Sequence, residues 1–171
     1  MAADLLIRVL EPDDAGRFFA LRLAGLEESP LAFGTHADEY RSEPLERVAA
    51  FLQPGQGRVV LGAEQGGQLV GTVSLVRQLR RNVQHKASVN AVYVKPEARG
   101  QGVGEQLMRE LLAQARQMEG LRQVQLSVTT SQQAALRLYR RLGFETYGHE
   151  REALIVNGTP VDEDHLQLDL T

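Results

Sequence analysis

The stretch Arg99-Gly100-Gln101-Gly102-Val103-Gly104 decides how this sequence is interpreted. An apolar segment, residues 86–94, precedes it, and an amphipathic pattern over residues 102–118 follows it. Glycine lacks a β-carbon, so the backbone of such a turn can approach a ligand closely and present its N–H groups. The following helix would place the positive end of its dipole at the same point. A strand, a glycine-rich turn and a helix in this order predict a phosphate-binding loop.

Three kinds of phosphate-binding loop compete for this stretch. A Walker-type loop requires Gly-Lys-Ser/Thr, but Glu105 follows Gly104. The dinucleotide fingerprint G-x-G-x-x-G/A would use Gly100 and Gly102, and it needs a small residue where Glu105 stands. The third pattern, Arg/Gln-x-x-Gly-x-Gly/Ala, is satisfied by Arg99, Gly102 and Gly104. The flanking sequence therefore has to decide between these ligands.

The flanks favour the third pattern. Residues 92–104, VYVKPEARGQGVG, closely resemble the acetyl-CoA segment of the GCN5-related N-acetyltransferase (GNAT) superfamily. Residues 135–144, ALRLYRRLGF, resemble the second signature of the same superfamily, A-x-x-x-Y followed by GF. The order of helices, hairpin and strand before residue 92 also agrees, so the resemblance covers nearly the whole chain. It implies an α/β fold with a mixed, mostly antiparallel sheet of about seven strands, flanked by four helices, in which a splayed parallel strand pair holds acetyl-CoA.

The resemblance also implies a role for each matching residue. The pyrophosphate of acetyl-CoA would lie on the amides of residues 100–104, and the pantetheine arm would run along residues 92–94. The acetyl carbonyl would accept a main-chain N–H near Val92, and Tyr139 would protonate the leaving thiolate. Many members carry an asparagine where this chain has Gln132. The residues thus assigned to acetyl-CoA are Val92, Tyr93, Val94, Arg99, Gly100, Gln101, Gly102, Val103, Gly104, Gln132 and Tyr139.

The acceptor side is less determined by sequence. Phe33 lies in the loop between the first two predicted helices, which often walls the acceptor site in this superfamily, and packing is an equal alternative for it. Some members carry a glutamate as general base on the strand before the phosphate loop, but Ser88-Val89-Asn90 has no carboxylate there. Asn90 is a candidate for substrate contact, and the base is left unassigned.

The predicted activity is transfer of an acetyl group from acetyl-CoA to a primary amine, either a small molecule or a protein N-terminus or lysine. The chain has no cysteine, so direct attack in a ternary complex is the simplest route. The alternative is a non-catalytic acyl-CoA-binding sensor or interaction module on the same fold. A dinucleotide-binding oxidoreductase is a distant third interpretation.

Length and composition set the remaining expectations. The 171 residues suggest one domain, residues 1–171. A net charge of −3 argues against a nucleic-acid partner, and no apolar run approaches the ~20 residues of a membrane span. The N-terminus lacks the pattern of a signal peptide, so a cytoplasmic location is expected. The four histidines show no metal-ligand spacing, so no metal is expected, and they and the acidic run 162–164 are predicted to be solvated. A monomer and a homodimer are both compatible with the sequence.

Several local signals predict the element boundaries. Glycine pairs and Asn-Gly favour hairpins, and Asp or Ser before a periodic apolar pattern favours a helix start. The signals used are Asp13 or Asp14 and Ser29-Pro30 for the first helix, Ser42 with Pro44 for the second, Gly66-Gly67 and Asn157-Gly158 for hairpins, Ser131 for the last helix, and Leu166 to Leu170 for the final strand.

Overall fold

The computed structural model describes residues 4–55 and 57–171. Within these residues the chain forms one seven-stranded sheet in the order β1-β2-β3-β4-β5-β7-β6. The strands are β1 Leu5–Val9, β2 Arg58–Gln65, β3 Gln68–Arg77, β4 Lys86–Val94, β5 Gln123–Thr129, β6 Glu145–Val156 and β7 Thr159–Asp169. The α-helices are α1 Ala15–Glu28, α2 Ala37–Arg41, α3 Leu45–Leu52, α4 Val103–Gln117 and α5 Gln133–Arg141.

The sheet is antiparallel except where β4 meets β5. These two strands are paired in parallel at only three positions, of which the last joins Ser88 to Gln125. Beyond that pair β4 continues to Val94 and β5 to Thr129, but the two strands no longer pair with each other. The predicted mixed sheet with a splayed parallel pair is therefore confirmed.

Two hydrophobic cores cover the two faces of the sheet. On one face α4 and α5 pack through side chains that include Leu107, Leu111 and Leu136. On the other face α1 and α3 pack through side chains that include Phe18 and Val48. The spacing of apolar residues along α4 is that of a helix with one buried face, so this part of the prediction is confirmed.

Both predicted two-residue hairpin turns are present. Gly66 and Gly67 join β2 to β3 with φ of 56° and 78°, and Asn157 and Gly158 join β6 to β7 with φ of 49° and 83°. Positive φ at both central positions matches the right-handed twist of the flanking strands, and glycine and asparagine adopt it at low cost.

Helix starts differ from the sequence-based expectations. The five-residue α2 lies in the segment predicted to be a loop, and Ser42 ends that helix instead of opening the next one. Asp14 and Gln132 occupy the positions before α1 and α5, but neither side chain caps its helix, and Ser131 is one residue too early. The final strand begins at Thr159, well before Leu166.

A bulge in β4 changes which side chains face each core. The register between β3 and β4 shifts by one residue between Thr72 and Ser74, and Ala91 adopts a φ of 53° at this point. Before the bulge Val89 faces the core of α4, whereas after it the ring of Tyr93 faces the core of α1. The backbone of β4 is therefore irregular at the point where it leaves β5.

Candidate active site

A cleft of about 910 Å³ opens where β4 and β5 separate. Its walls are residues 88–94 of β4, residues 125–128 of β5, the glycine-rich turn with the start of α4, one face of α5, and the segment 32–35 after α1. The structure thus brings together in one place the two sequence signatures on which the resemblance rests. Of the residues assigned to acetyl-CoA, Gln101 does not line the cleft, because its side chain bonds to Gln65 and to the carbonyl of Glu97.

The glycine-rich turn presents unpaired backbone N–H groups to this cleft. Gly100 and Gly102 have φ of 76° and 79°, and Gly102 directly precedes the first residue of α4. Within the described part of the chain, the N–H groups of residues 100–105 have no hydrogen-bond acceptor, and the first bond of the helix runs from Gln106 to Gly102. Free N–H groups at the positive end of a helix fit a phosphate or pyrophosphate group.

The guanidinium of Arg99 is bound by protein groups. It donates to both carboxylate oxygens of Glu28 at 3.1 and 2.8 Å and to the Val94 carbonyl at 3.0 Å, and it stacks over Tyr93. This pairing holds the pKa of Glu28 below its usual value. Arg99 therefore fixes the glycine-rich turn to the end of α1.

Two arginines of α5 supply positive charge that sequence analysis missed. Arg137 and Arg141 both line the cleft. Arg141 lies 3.2 Å from Glu105, whose carboxylate also pairs with Arg109, and these contacts lower the pKa of Glu105. Their spacing of four residues, which places them on one face of a helix, was the signal that could have revealed them.

The residues of β4 contribute to the cleft in different ways. Val92 and Val94 line it and pack against the core of α4. The ring of Tyr93 packs on Gly25 of α1 and meets Phe33 edge-on at 6.4 Å, and burial raises its pKa. Phe33 packs there and also lines the cleft, so both of its predicted roles are compatible with its position.

Tyr139 is nearly buried, with 5% of its surface exposed, yet it lines the cleft. Its ring packs edge-on against Phe144 at 6.0 Å. Burial raises the pKa of its hydroxyl above the usual value, so the group is protonated at neutral pH. A protonated hydroxyl in this position can donate a proton or a hydrogen bond.

Gln132 and Asn90 both line the cleft, as the resemblance implies. Gln132 occupies the position before α5, and its amide makes no protein hydrogen bond within the described residues. The side-chain amide of Asn90 donates a hydrogen bond to the Ser88 carbonyl at 3.4 Å. The Gln132 amide is therefore free to contact a ligand, and Asn90 can do so through its amide oxygen.

Two histidines on β6 and β7 make hydrogen bonds that the sequence did not predict. His165 is hydrogen-bonded to Ser127 at 2.7 Å and to Glu150 at 2.8 Å. His149 instead lies between two carboxylates, Asp164 at 2.8 Å and Asp162 at 3.2 Å, which raise its pKa. His149 is exposed, as predicted, whereas His165 is partly buried, and both are bound by neighbouring side chains.

Glu163 was predicted to be solvated with its acidic neighbours. It lines the cleft, and partial burial raises its pKa. A carboxylate does therefore face the site, from β7 rather than from β4. Alternation along β7 was the available signal, but the partners across the sheet depend on a pairing register that sequence alone does not show.

Comparison with known proteins agrees with this geometry. The sequence model described as the acetyltransferase (GNAT) family matches residues 22–144. The chain belongs to this family. A GNAT-family acetyltransferase from Streptococcus pneumoniae has a TM-score of 0.89 and 26% identity, with 98% of this chain and 100% of that chain covered. A putative acetyltransferase from Salmonella typhimurium, solved with its cofactor acetyl-CoA, has a TM-score of 0.86 and 22% identity, covering 99% and 95%.

The relatives of this GNAT chain include acetyltransferases whose names specify an acceptor. N-alpha-acetyltransferase RimI of Mycobacterium tuberculosis is 41% identical over 98 residues, which are 57% of this chain and 59% of that protein. An L-methionine sulfoximine/L-methionine sulfone acetyltransferase of Pseudomonas aeruginosa is 29% identical over 117 residues, 66% of this chain and 64% of that protein. The chain therefore matches less than two thirds of the length of these relatives.

No helix in residues 4–55 and 57–171 combines the length and the apolar character needed to cross a bilayer.

Proposed function

We propose that this protein transfers the acetyl group of acetyl-CoA to a primary amine, by direct attack of the amine in a ternary complex. The main support for this proposal is that two features lie together in one cleft. The parallel strands separate after Ser88, and the N–H groups of residues 100–105 lie unpaired beside the gap. An extended pantetheine arm needs the first feature, and a pyrophosphate needs the second.

The donor is proposed to lie along the walls of the cleft. The N–H groups of residues 100–104 would bind the pyrophosphate, and Arg137 and Arg141 would add positive charge nearby. The unpaired edge of β4 at residues 92–94 would bind the pantetheine amides, with Gln132 beside it. Arg99 would act indirectly, because its contact with Glu28 holds the turn in place.

Tyr139 is proposed to protonate the sulfur as the bond between the acetyl carbon and sulfur breaks. Burial keeps its hydroxyl protonated at neutral pH, so a proton is available to the sulfur as negative charge develops there. The amine nitrogen forms the new bond to the acetyl carbon. An N–H near Val92 would stabilise the charge that develops on the acetyl oxygen.

The acceptor is proposed to enter from the side walled by Phe33 and the segment 32–35. The named relatives acetylate, by their names, an N-alpha group in one case and L-methionine sulfoximine in the other. Small amines and protein N-termini or lysines therefore both belong in a first screen.

We propose further that residues 1–171 act as one domain and work in the cytoplasm; a homodimer is compatible with this.

The test is a screen of primary amines with acetyl-CoA, in which release of the free CoA thiol is measured. The panel contains amino acids, polyamines, peptides with a free N-terminus and the same peptides with a blocked N-terminus. We expect at least one amine to accelerate thiol release and to gain an acetyl group by mass spectrometry. Calorimetric binding of acetyl-CoA without thiol release from any amine would instead indicate the sensor module.

A further inference from the structure

A hydrogen-bonded chain of three side chains leads out of the cleft on the β5 side. Ser127 lines the cleft and follows Gln125, the last residue of β5 that pairs with β4. Its Oγ lies 2.7 Å from Nδ1 of His165, to which it is also paired across β5 and β7. Nε2 of His165 lies 2.8 Å from Oε2 of Glu150. The Glu150 side chain is 55% exposed, so these three hydrogen-bonded side chains connect the cleft to solvent.

The direction of these bonds follows from the chemistry of the groups. An ionised carboxylate only accepts hydrogen bonds, so Nε2 of a neutral His165 carries the ring hydrogen and donates a hydrogen bond to Glu150. Nδ1 is then the unprotonated nitrogen and accepts the hydrogen of the Ser127 hydroxyl. The lone pairs of Ser127 Oγ are therefore available to a donor in the cleft, and an amine is such a donor.

We propose that Ser127 and His165 accept the proton that the acceptor amine must lose. This inference rests on the proposed N-acetyltransferase function and supplies its missing base. The amine proton passes to Ser127 Oγ while the serine hydroxyl proton passes to Nδ1 of His165. The resulting imidazolium is stabilised by Glu150 and releases one proton to solvent.

The protons of the whole reaction balance with this assignment. An alkylammonium acceptor loses two protons when it becomes an amide. One leaves through Ser127 and His165 to solvent. Tyr139 donates a proton to the sulfur when the carbon–sulfur bond breaks and the carbon–nitrogen bond forms. The second proton lost by the amine replaces this proton on Tyr139. No further reactant is required.

Two carboxylates and one aromatic ring lie close to His165. Glu150 accepts its hydrogen bond from β6, and Glu163 lies close to both groups, with ligand atoms of the three side chains within 4.8 Å of one another. The ring of Tyr147, also on β6, lies 6.1 Å from the imidazole ring. Glu163 lines the cleft itself, so it is the competing candidate for the base and has to be tested beside His165.

The test measures kcat/KM against pH with the fastest amine of the screen. Most of an alkyl amine is protonated at pH 7, so a working base matters most there. We expect the wild-type profile to rise with pH and then to level off once the protein base is unprotonated. In His165→Gln and Ser127→Ala this plateau should vanish, the rate should keep rising toward higher pH, and activity at pH 7 should fall by roughly 10²- to 10³-fold.

His149→Gln is the matched control, because His149 is also hydrogen-bonded to a carboxylate of the neighbouring strand but does not line the cleft. Its profile should equal that of the wild type. Unchanged profiles in the Ser127 and His165 variants would overturn the proposal, as would loss of the plateau in Glu163→Gln alone. An acetyl group found on Ser127 by mass spectrometry would also overturn it, because the serine would then be a nucleophile. If no amine releases thiol, the proposed function falls as well.

A second, independent observation concerns Arg22 of α1. Its side chain is half-buried and lines the cleft, and it stacks over Tyr40 at 5.4 Å. Within the described residues it has no carboxylate partner, and burial lowers its pKa. A desolvated guanidinium without a counter-ion is costly, and carboxylates are its natural bidentate partners. Every other arginine that lines the cleft apart from the exposed Arg137 has an ion-pair partner in the protein.

The position of Arg22 is on the acceptor side. Helix α1 covers the face of the sheet opposite α4. Glu163 points to the same side as α1, because it alternates along β7 with residues such as Leu166, which lies in the core of α4. We infer that the acceptor amine also carries a carboxylate, which Arg22 binds while the amine lies toward β7. An amino acid has this chemistry, and the N-terminus of a protein does not.

The test compares common L-amino acids with their carboxamides, which keep the amine and lose the negative charge. We expect kcat/KM and calorimetric affinity to favour the acid by roughly 10-fold or more, and Arg22→Gln to abolish the preference. Arg109→Gln, on the exposed face of α4, is the control. Equal or better use of the amides, or of peptides with a free N-terminus, would overturn the inference while leaving N-acetyl transfer intact. Failure of every amine would remove the proposed function itself.

Discussion

Two regions of the molecule treat charge in opposite ways. At the start of α1, Asp14 accepts hydrogen bonds from Arg8 at 2.7 and 2.9 Å and from Arg17 at 2.7 Å, and both arginines also pair with Glu64. Each charge there has a partner of opposite sign. In the cleft, Arg22 and the N–H groups of residues 100–105 have none within the described residues.

This contrast separates the groups that stabilise the fold from those that are available for a ligand. Compensated charges join β1, β2 and α1 and lower the cost of burying Asp14. Uncompensated groups cost stability until a ligand supplies the missing partner. Changes in the first region should therefore affect folding, and changes in the second should affect binding or turnover.

The largest effect is expected for Tyr139→Phe. The ring and its contact with Phe144 remain, so the fold and acetyl-CoA affinity should be preserved. Turnover should fall by roughly 10²- to 10⁴-fold, the usual contribution of a general acid. The loss should appear in kcat, measured by thiol release, because the hydroxyl acts in the transition state. Wild-type turnover would make Tyr139 a packing residue.

The next effect concerns the compensated region. Asp14→Asn leaves Arg8 and Arg17 without their central carboxylate, of which only 9% is exposed in the wild type. We expect the free energy of unfolding to fall by about 2 kcal/mol, since the arginines are partly solvated. Denaturant unfolding measures this, and acetyl-CoA affinity should be unchanged. A variant as stable as the wild type would show that the network contributes nothing.

The same carboxylate predicts the effect of acid. Hydrogen bonds from Arg8 and then from Glu11 and Arg17 hold the pKa of Asp14 below its usual value. The stabilisation is therefore complete above the unfolded-state pKa of about 4 and is lost as the pH falls below it. The stability difference between wild type and Asp14→Asn should narrow between pH 5 and roughly pH 2. A constant difference would contradict this assignment.

A smaller effect is expected at the glycine-rich turn. Gly102→Ala adds a β-carbon at a φ of 79° beside the proposed pyrophosphate site and should weaken acetyl-CoA binding by about 10-fold in calorimetry. Gly67→Ala is the matched control, because Gly67 has a φ of 78° and open space around it in a distant hairpin. Both variants should lose similar stability. Equal affinity in the two would remove the turn from the binding site.

The smallest effect is expected for Gly104→Ala. Gly104 lies in the first turn of α4, and an added β-carbon would meet Leu138 and Val94 at ordinary contact distances of 3.6 and 3.7 Å. The variant should gain roughly 0.5–1 kcal/mol of stability and keep its affinity for acetyl-CoA. Thermal unfolding is the measurement, and a loss of stability would indicate that the contact with α5 is tighter than its distances suggest.

The sequence predicted the elements whose signals are local. The strand at residues 86–94 and the helix after it were predicted almost to the residue, because a long periodic pattern ends at glycines. The five-residue α2 was missed, since one turn and a half is too short for periodicity. Asp14 was named with Asp13 as a possible cap, because its ion pair with Arg8 of β1 joins two different elements and cannot be seen in the sequence.

The donor half of the site was also predictable, whereas the acceptor half was not. The glycine-rich turn and Tyr139 belong to contiguous motifs. Ser127, Glu150 and His165 come from three strands and meet only through the register of β5, β7 and β6. The polar residues 162–165 lack the apolar alternation of a strand, so the sequence did not reveal that β7 begins before them. Their contribution to the site was missed for the same reason.

The bulge at Ala91 has a consequence for changes of length in β4. Up to Val89 the odd-numbered side chains of this strand face the core of α4, whereas from Val92 onward the even-numbered side chains do so. Removing one residue here would rotate every later residue to the other face, sending the Tyr93 ring toward α4 and dislodging the turn that follows. Glycine at position 91 would only relieve the left-handed backbone. This strand therefore tolerates a change of side chain at residue 91 far better than a change in the number of residues.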